Sequence, residues 1–129
     1  MAINGNLQLI PGLVAGADQT NNQFCFMKMG SADFTVVITA AATDAPIGVL
    51  QDTPLSGDSA GVAFSGITKI VLGGTVTRGD RVGTDANGHA VKYTEGTDTT
   101  SYISGIMLES GSSGDIRSMV LLPVPHRAA

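Results

Sequence analysis

One sequence pattern occurs twice in this chain, at a spacing of fifty-seven residues. Each copy begins with Gly and an apolar run that ends near an acidic residue, continues through Ser-Gly-Asp, and closes with an apolar triplet. The copies occupy 48–52, 56–58 and 62–64, and then 105–109, 113–115 and 119–121. Ser, Gly and Asp favour tight turns, and apolar runs on both sides of such a turn are typical of paired strands. The pattern predicts the same β-hairpin twice.

Glycine and proline leave little room for helices. The chain contains 17 Gly and 5 Pro, and the only window that could form a helical turn is 40–45, just before Pro46. Short strands with turn signals at close spacing account for the rest. These features predict an all-β fold, a compact β-barrel or β-tulip-like sandwich with an extended N-terminal arm.

The alternation of side chains along the sequence predicts further strands. Phe24 and Phe26 point to one face of a strand, and Met27 and Met29 to the other face together with the single cysteine between the phenylalanines. The Asp-Ala-Asn-Gly sequence at 85–88 predicts a hairpin turn. The other predicted strands are 34–39, 47–52, 60–64, 66–72, 90–93 and the two of the second copy, which end at Pro123 and Pro125.

The first 23 residues differ from the rest in composition. They contain one charge, Asp18, are rich in Asn, Gln and Gly, and have a Pro-Gly turn at 11–12. Two interpretations are open: an extended arm that becomes ordered on a partner, or an ordinary frayed terminus. A length of 129 residues fits one domain. The expected organisation is an arm at 1–23, a β-barrel domain at 24–124 and a C-terminal tail at 125–129.

Charge and hydropathy narrow the classes of partner. The formal net charge is −4, the opposite of the basic footprint of a nucleic-acid-binding protein. Charged residues make up 14% of the chain and hydrophobic residues 43%, whereas soluble domains carry about 25% charged residues. The low charge predicts that other protein covers part of the surface. We expect no nucleic-acid partner and, because no long apolar segment is present, no membrane partner.

Residues with reactive side chains are few. Cys25 has no neighbouring base, and His89 and His126 have no metal-ligand spacing. The carboxylates could pair for acid–base catalysis, but most lie in Gly-containing turns, where Asp bonds to the local backbone. Residues 78–80 spell the adhesion tripeptide Arg-Gly-Asp and also fit a turn. The sequence therefore predicts no enzyme, no cofactor and no metal site.

A set of short motifs in fixed order resembles a known family. The motifs occupy 48–50, 62–67, 79–82, 85–88, 104–107 and 120–123. Over roughly residues 24–124 the chain resembles the small capsid decoration, or cement, proteins of tailed bacteriophages. The resemblance implies a β-barrel or β-tulip-like body on the outside of an assembled icosahedral shell. Such proteins often sit as trimers at local threefold sites and strengthen the shell against internal DNA pressure.

The resemblance also implies partners and location. The partner would be the major capsid protein, and the chain would be a homotrimeric structural protein on the capsid exterior. Lys28 is the first basic residue, so the N-terminus lacks the basic region of a signal peptide. Synthesis in the bacterial host cytoplasm is therefore expected.

The arm supplies the candidate contact residues. Its apolar side chains would lie along a strand of the capsid or of a neighbouring subunit, with backbone pairing as the source of affinity. These residues are Ile3, Leu7, Leu9, Ile10, Leu13 and Val14.

The alternative comes from a different class of protein: a carbohydrate- or receptor-binding β-module of a phage tail or cell surface. Such a module needs clustered exposed aromatic side chains that stack on sugar rings. The chain has no Trp, and its tyrosines are Tyr93 and Tyr102.

Overall fold

The computed structural model of this chain describes residues 2–98 and 100–127, and for 123–127 it describes the backbone alone. The regular elements of these residues are all strands, and no helix among them could cross a membrane. The strands are β1 (Gly5–Leu9), β2 (Val14–Ala15), β3 (Phe26–Met29), β4 (Thr35–Ile38), β5 (Gly48–Leu50), β6 (Val62–Val71), β7 (Arg81–Thr84), β8 (Ala90–Lys92), β9 (Tyr102–Met107) and β10 (Ile116–Arg127). The predicted compact all-β class is confirmed.

The strands form one sheet in the order β2-β4-β3-β5-β6-β10-β9-β7-β8, and β1 pairs with β6 outside this path. All pairs are antiparallel except β2 with β4. The β8 end curls back toward the middle of the sheet. There, Gly73 N–H donates to the Ala90 carbonyl and Phe26 N–H to the Gly88 carbonyl, both at 2.8 Å. In the described sheet no ladder joins the two ends, so the barrel is not closed.

The two copies of the repeated pattern form hairpins in the same register. Val49 of β5 pairs with Ala63 of β6, and Ile106 of β9 pairs with Val120 of β10. Each residue of the second pair lies fifty-seven positions after its equivalent in the first. The prediction of one hairpin used twice is confirmed.

Both faces of the sheet bury apolar side chains, because consecutive residues of a strand point to opposite faces. On β3, Phe26 and Met27 are both fully buried but belong to different clusters. The first cluster contains Phe26, Val49, Ala63, Ile70, Leu72, Val76, Val82, Ala90, Met107, Met119 and Leu121. The second contains Leu13, Cys25, Met27, Val36, Leu50, Ala60 and Val62. The sheet therefore supports two cores.

The strands predicted at 60–64 and 66–72 are largely one continuous strand, β6. Gly66 lies within it with φ 108°, a conformation that L side chains rarely adopt. Val62 and Ile70 are an even number of residues apart and yet belong to different clusters. The strand thus reverses its facing near Gly66, as a strand does at a bulge.

The N-terminal segment belongs to the sheet of its own chain. Gly5–Leu9 pairs with β6, and Val14–Ala15 pairs with β4. Leu13 is buried, and its carbonyl accepts the Ala60 N–H at 3.0 Å. The prediction of an arm that becomes ordered on a partner is wrong for these residues. Their backbone groups and buried side chains already have partners in the same chain.

Residues 40–45 form a hydrogen-bonded turn and not the helical turn that the sequence allows. Asp44 N–H donates to the Ala41 carbonyl at 3.1 Å, and the Asp44 carboxylate accepts the Ala40 N–H at 2.8 Å. Lys28 adds an ion pair to this carboxylate at 3.0 Å. A side chain that binds the local backbone competes with helix formation, which explains the difference.

The last strand is longer than predicted. β10 does not end at Pro123 and Pro125, because its ladder with β9 resumes where Arg127 pairs with Tyr102. The ladder is irregular over the stretch that contains both prolines. Proline is tolerated at such a place because its missing N–H is not needed by a neighbouring strand. The tail predicted at 125–129 therefore begins inside the strand.

Candidate functional site

Two carboxylates occupy equivalent positions in the repeated hairpins. Asp52 accepts the Gly61 N–H at 3.2 and 3.1 Å to its two oxygens, and Glu109 accepts the Ser118 N–H at 2.9 Å. Each donor lies nine residues after its acceptor. Both carboxylates therefore close the loop of their own hairpin, which gives them a structural role.

Hydrogen bonding shifts the ionisation of Glu109. The hydroxyl and the backbone N–H of Ser118 lower the pKa of Glu109 from 4.5 to about 2. The Ser118 hydroxyl also accepts the Ile3 N–H at 2.7 Å. One serine thus connects the second hairpin with the N-terminal segment.

Acidification should remove the contribution of Glu109 to stability. Because folding lowers the pKa of this carboxyl from 4.5 to about 2, its ionised form stabilises the fold above pH 4.5, and this stabilisation is lost as the pH falls toward 2. Urea unfolding from about pH 5 to pH 2.5 should show a weaker pH dependence for Glu109→Gln than for wild type. Glu95→Gln, at a side chain that is 80% exposed, should keep the wild-type dependence. The same slope in all three proteins would exclude this role.

Other carboxylates bind backbone N–H groups within their own turns. Asp80 accepts the Thr77 N–H at 2.9 Å, and Gly79 has φ 88°, as the third residue of a type II turn requires. Acids that bind nearby N–H groups in the same way are Asp18, Asp44, Asp85, Asp98 and Asp115. The interpretation of residues 78–80 and of the Gly-flanked acids as turn residues is confirmed.

The remaining reactive side chains do not assemble into a site among the described residues. Burial raises the pKa of Cys25 to about 11, and the charge of Asp85 adds to the shift. The thiol therefore packs as a small apolar group. His89 donates its backbone N–H to Asp85 at 2.9 Å, and the side chain of His126 lies outside the described ones. No three His, Cys, Asp or Glu residues of the described chain could hold a metal ion together.

An open apolar groove lies between the N-terminal segment and the β3–β4 hairpin. Its volume is about 360 Å³, and its lining consists of Ile10, Leu13, Met29, Asp33, Phe34 and Ile47. Leu13 is buried, whereas Phe34 and Met29 are 62% and 45% exposed. Large exposed apolar side chains around a concave surface mark a contact site. The groove is therefore the candidate functional site.

The backbone holds Phe34 in an unusual conformation. Its φ of 57° lies in the left-handed region, which costs a non-glycine residue about 1 kcal/mol or more. The Phe34 carbonyl accepts the Val14 N–H at 2.8 Å, and the Thr35 hydroxyl donates to the Ala32 carbonyl at 2.7 Å. These bonds maintain the turn, and the turn presents an aromatic ring to solvent. Such sustained strain is concentrated at binding sites.

Two of the six predicted contact residues, Ile10 and Leu13, line the groove. Leu13 also belongs to the second core cluster, and Leu7 packs against the first. Both side chains therefore pack within their own chain, and their contact with a partner stays a prediction.

The other predicted contact residues lie elsewhere. Ile3 and Leu9 are 52% and 51% exposed, and Val14 is half-buried where β2 pairs with β4. Contact of these residues with a partner stays a prediction.

Sequence reasoning does not identify Met29, Phe34 and Ile47 as site residues. Their apolar character assigns all three to strands, and alternation does not show that the ends of those strands are exposed. The one available signal is an aromatic residue directly after the turn at 30–33. Tyr93, on which sugar stacking would depend, is 7% exposed.

The fold and the groove define an all-β protein with an exposed apolar contact surface. Most of its carboxylates accept hydrogen bonds from backbone N–H groups of its own loops. A similar fold occurs in the crystal structure of the head fiber gp8.5 N base of bacteriophage phi29, with a TM-score of 0.65 and 17% sequence identity. The match covers 92% of this chain and 98% of that chain. At this identity the likeness shows the fold. No family model matches the sequence, and no curated protein matches it.

Proposed function

We propose that this chain is a structural protein of a bacteriophage head, and that it binds the outer surface of the assembled capsid and stabilises it. The observation that carries the proposal is the fold likeness to the head fiber N base of phi29, which covers 92% of this chain and 98% of that one. A likeness over nearly the whole of both chains supports a common scaffold and not merely a common hairpin.

Two further observations support the same class of protein. The ordered motifs between residues 24 and 124 resemble those of capsid decoration proteins. The net charge of −4 suits a partner that is protein and disfavours contact with DNA. In this proposal the partner is the major capsid protein, and the chain is made in the bacterial host cytoplasm and assembles as a trimer on the shell.

Stabilisation of a shell follows from binding in many copies. A ligand that binds the assembled state more tightly than the dissociated subunits shifts the equilibrium toward assembly. Weak single contacts are sufficient, since a trimer that engages several sites at once gains affinity from its valency. An exposed groove on each copy fits this mode of binding.

Co-sedimentation tests the proposal. Purified chain is mixed with capsids assembled from the major capsid protein encoded in the same genome, and the capsids are pelleted. We expect saturable co-pelleting and a higher temperature of capsid disruption. An equal amount of chain in the pellet with and without capsids would overturn the proposal. Reproducible hits on a glycan array would then favour the sugar-binding alternative.

A further inference from the structure

We propose that the groove binds an extended segment of the capsid protein, which inserts an apolar side chain and carries a Lys or Arg next to it. This inference rests on the proposed function, because it takes the capsid protein as the partner. It is based on the apolar lining, an open strand edge, an acidic residue at the groove and a fixed aromatic ring.

The lining suits an apolar anchor. Five of the six lining residues are apolar, and the exposed Phe34 and Met29 lie together with the more buried Ile10, Leu13 and Ile47. A large side chain buried there would remove apolar surface of both proteins from water. Burial of one such side chain corresponds to a gain in affinity of about tenfold or more.

An extended segment is favoured because β3 has an open edge beside the groove. The ladder between β3 and β5 ends where Met27 pairs with Gly48. β3 continues to Met29, whose ladder partner in the described sheet is Val36 of β4. On the other side the chain leads into Pro46, which has no N–H to donate. The Met29 backbone on this side of β3 is therefore where an extended segment of the partner can add a hydrogen bond, as in β-augmentation.

Charge complementarity favours a different protein over a second copy of this chain. Asp33 is exposed at the groove and takes part in none of the ion pairs among the described residues. A Lys or Arg beside the inserted side chain would meet this carboxylate. This chain has 11 acidic and 7 basic residues, so a second copy brings net negative charge. The occupant that fits is a basic segment of another protein.

The aromatic ring is in place before binding. The turn bonds of Val14 and Thr35 fix the backbone of Phe34. A methyl group at Gly12 would touch the Phe34 ring at 3.8 Å, so the ring lies beside the turn at 11–12. A preformed contact loses less conformational entropy on association than a mobile one.

Substitution of the exposed ring tests the groove in a folded protein. Asn is common in the left-handed region, so Phe34→Asn keeps the backbone conformation and removes the ring. We expect this variant to bind capsids about tenfold more weakly or worse. Asp33→Lys should also weaken binding, and more at low salt than at high salt. The control is Leu55→Asn, because Leu55 is 56% exposed and lies outside the groove lining; it should bind as wild type does.

Overlapping peptides identify the occupant. Peptides that cover the capsid protein and this chain are tested for binding to the full-length chain. A capsid peptide with an apolar residue next to Lys or Arg should bind, should lose binding to Phe34→Asn, and should slow amide hydrogen exchange at Met29. If the groove instead selects a peptide of this chain, the occupant is a second copy and the inference is wrong.

The outcomes separate this inference from the proposed function. If Phe34→Asn and Asp33→Lys bind capsids as well as wild type does, the groove is not the binding site. The proposed function would then remain intact. Wild type that does not bind capsids would refute the proposed function, and the capsid protein as occupant with it.

Discussion

Replacement of Gly48 or Gly105 with alanine should destabilise the fold by about 2–3 kcal/mol, since each change forces a methyl group into a closely packed strand pair. The two glycines hold equivalent positions in the repeated hairpins. A methyl group at Gly48 would overlap the Ala63 carbonyl oxygen and lie 2.8 Å from a methyl of Val62. At Gly105 it would overlap the sulfur of Met119. Urea unfolding should show the loss, and the melting temperature should fall by roughly 10 °C.

Gly74→Ala is the matched control for these substitutions. Outside its own chain neighbours, a methyl group at Gly74 would come nearest to a methyl of Val91, at 3.9 Å, an ordinary contact distance. We expect this variant to stay within about 0.5 kcal/mol of wild type. If the alanine variants of Gly48 and Gly105 are as stable as Gly74→Ala, the hairpins do not need the close approach of their strands. A much larger loss at one glycine than at the other would show that the two hairpins are not energetically equivalent.

The hairpins could be predicted from the sequence because their signals are local. A Gly-Asp turn between apolar runs specifies its two strands within about fifteen residues. The repetition then makes the second hairpin an internal check of the first, and the register of Val49 with Ala63 recurs as that of Ile106 with Val120. The same reasoning explains why the turn at 85–88 is also where the sequence places it.

The fate of the N-terminal segment could not be predicted in the same way. Its partners are far away in sequence: Gly5 pairs with Ile67, and Val14 pairs with Thr35 in parallel. A strand of two residues such as Val14–Ala15 has no periodicity of its own. Its polar composition is typical of a free arm, whereas long-range pairing incorporates it into the sheet.

The groove is a consequence of those same long-range pairings. Ile10 and Leu13 come from the N-terminal segment, Met29 and Phe34 from the β3–β4 hairpin, and Ile47 directly precedes the repeated pattern. Side-chain alternation identifies each of them as an apolar residue of a strand or of the arm. That description fits many residues of any β-protein and does not indicate a site. The parallel pairing of β2 with β4 brings the two segments side by side. A site assembled from separate segments has no single motif that would reveal it.

Truncation of either Phe26 or Met27 should destabilise the protein strongly, because the two side chains fill different cores from the same strand. Both are fully buried, Phe26 in the first cluster and Met27 in the second. Deletion of a buried side chain loses its transfer free energy and leaves a cavity. We expect a loss of about 3–5 kcal/mol for Phe26→Ala and about 2–5 kcal/mol for Met27→Ala, measured by urea unfolding.

Met29→Ala on the same strand is the control for this pair. Met29 is 45% exposed, so its truncation should cost less than about 1 kcal/mol. The comparison decides whether the second cluster is a core in its own right. Phe26→Ala could lower the free energy of unfolding strongly while Met27→Ala lowers it no more than Met29→Ala does. One face of the sheet would then supply most of the stability. The second cluster, which includes Leu13 below the groove, would then contribute little to stability. The groove would lack the rigid support that a preformed binding site needs.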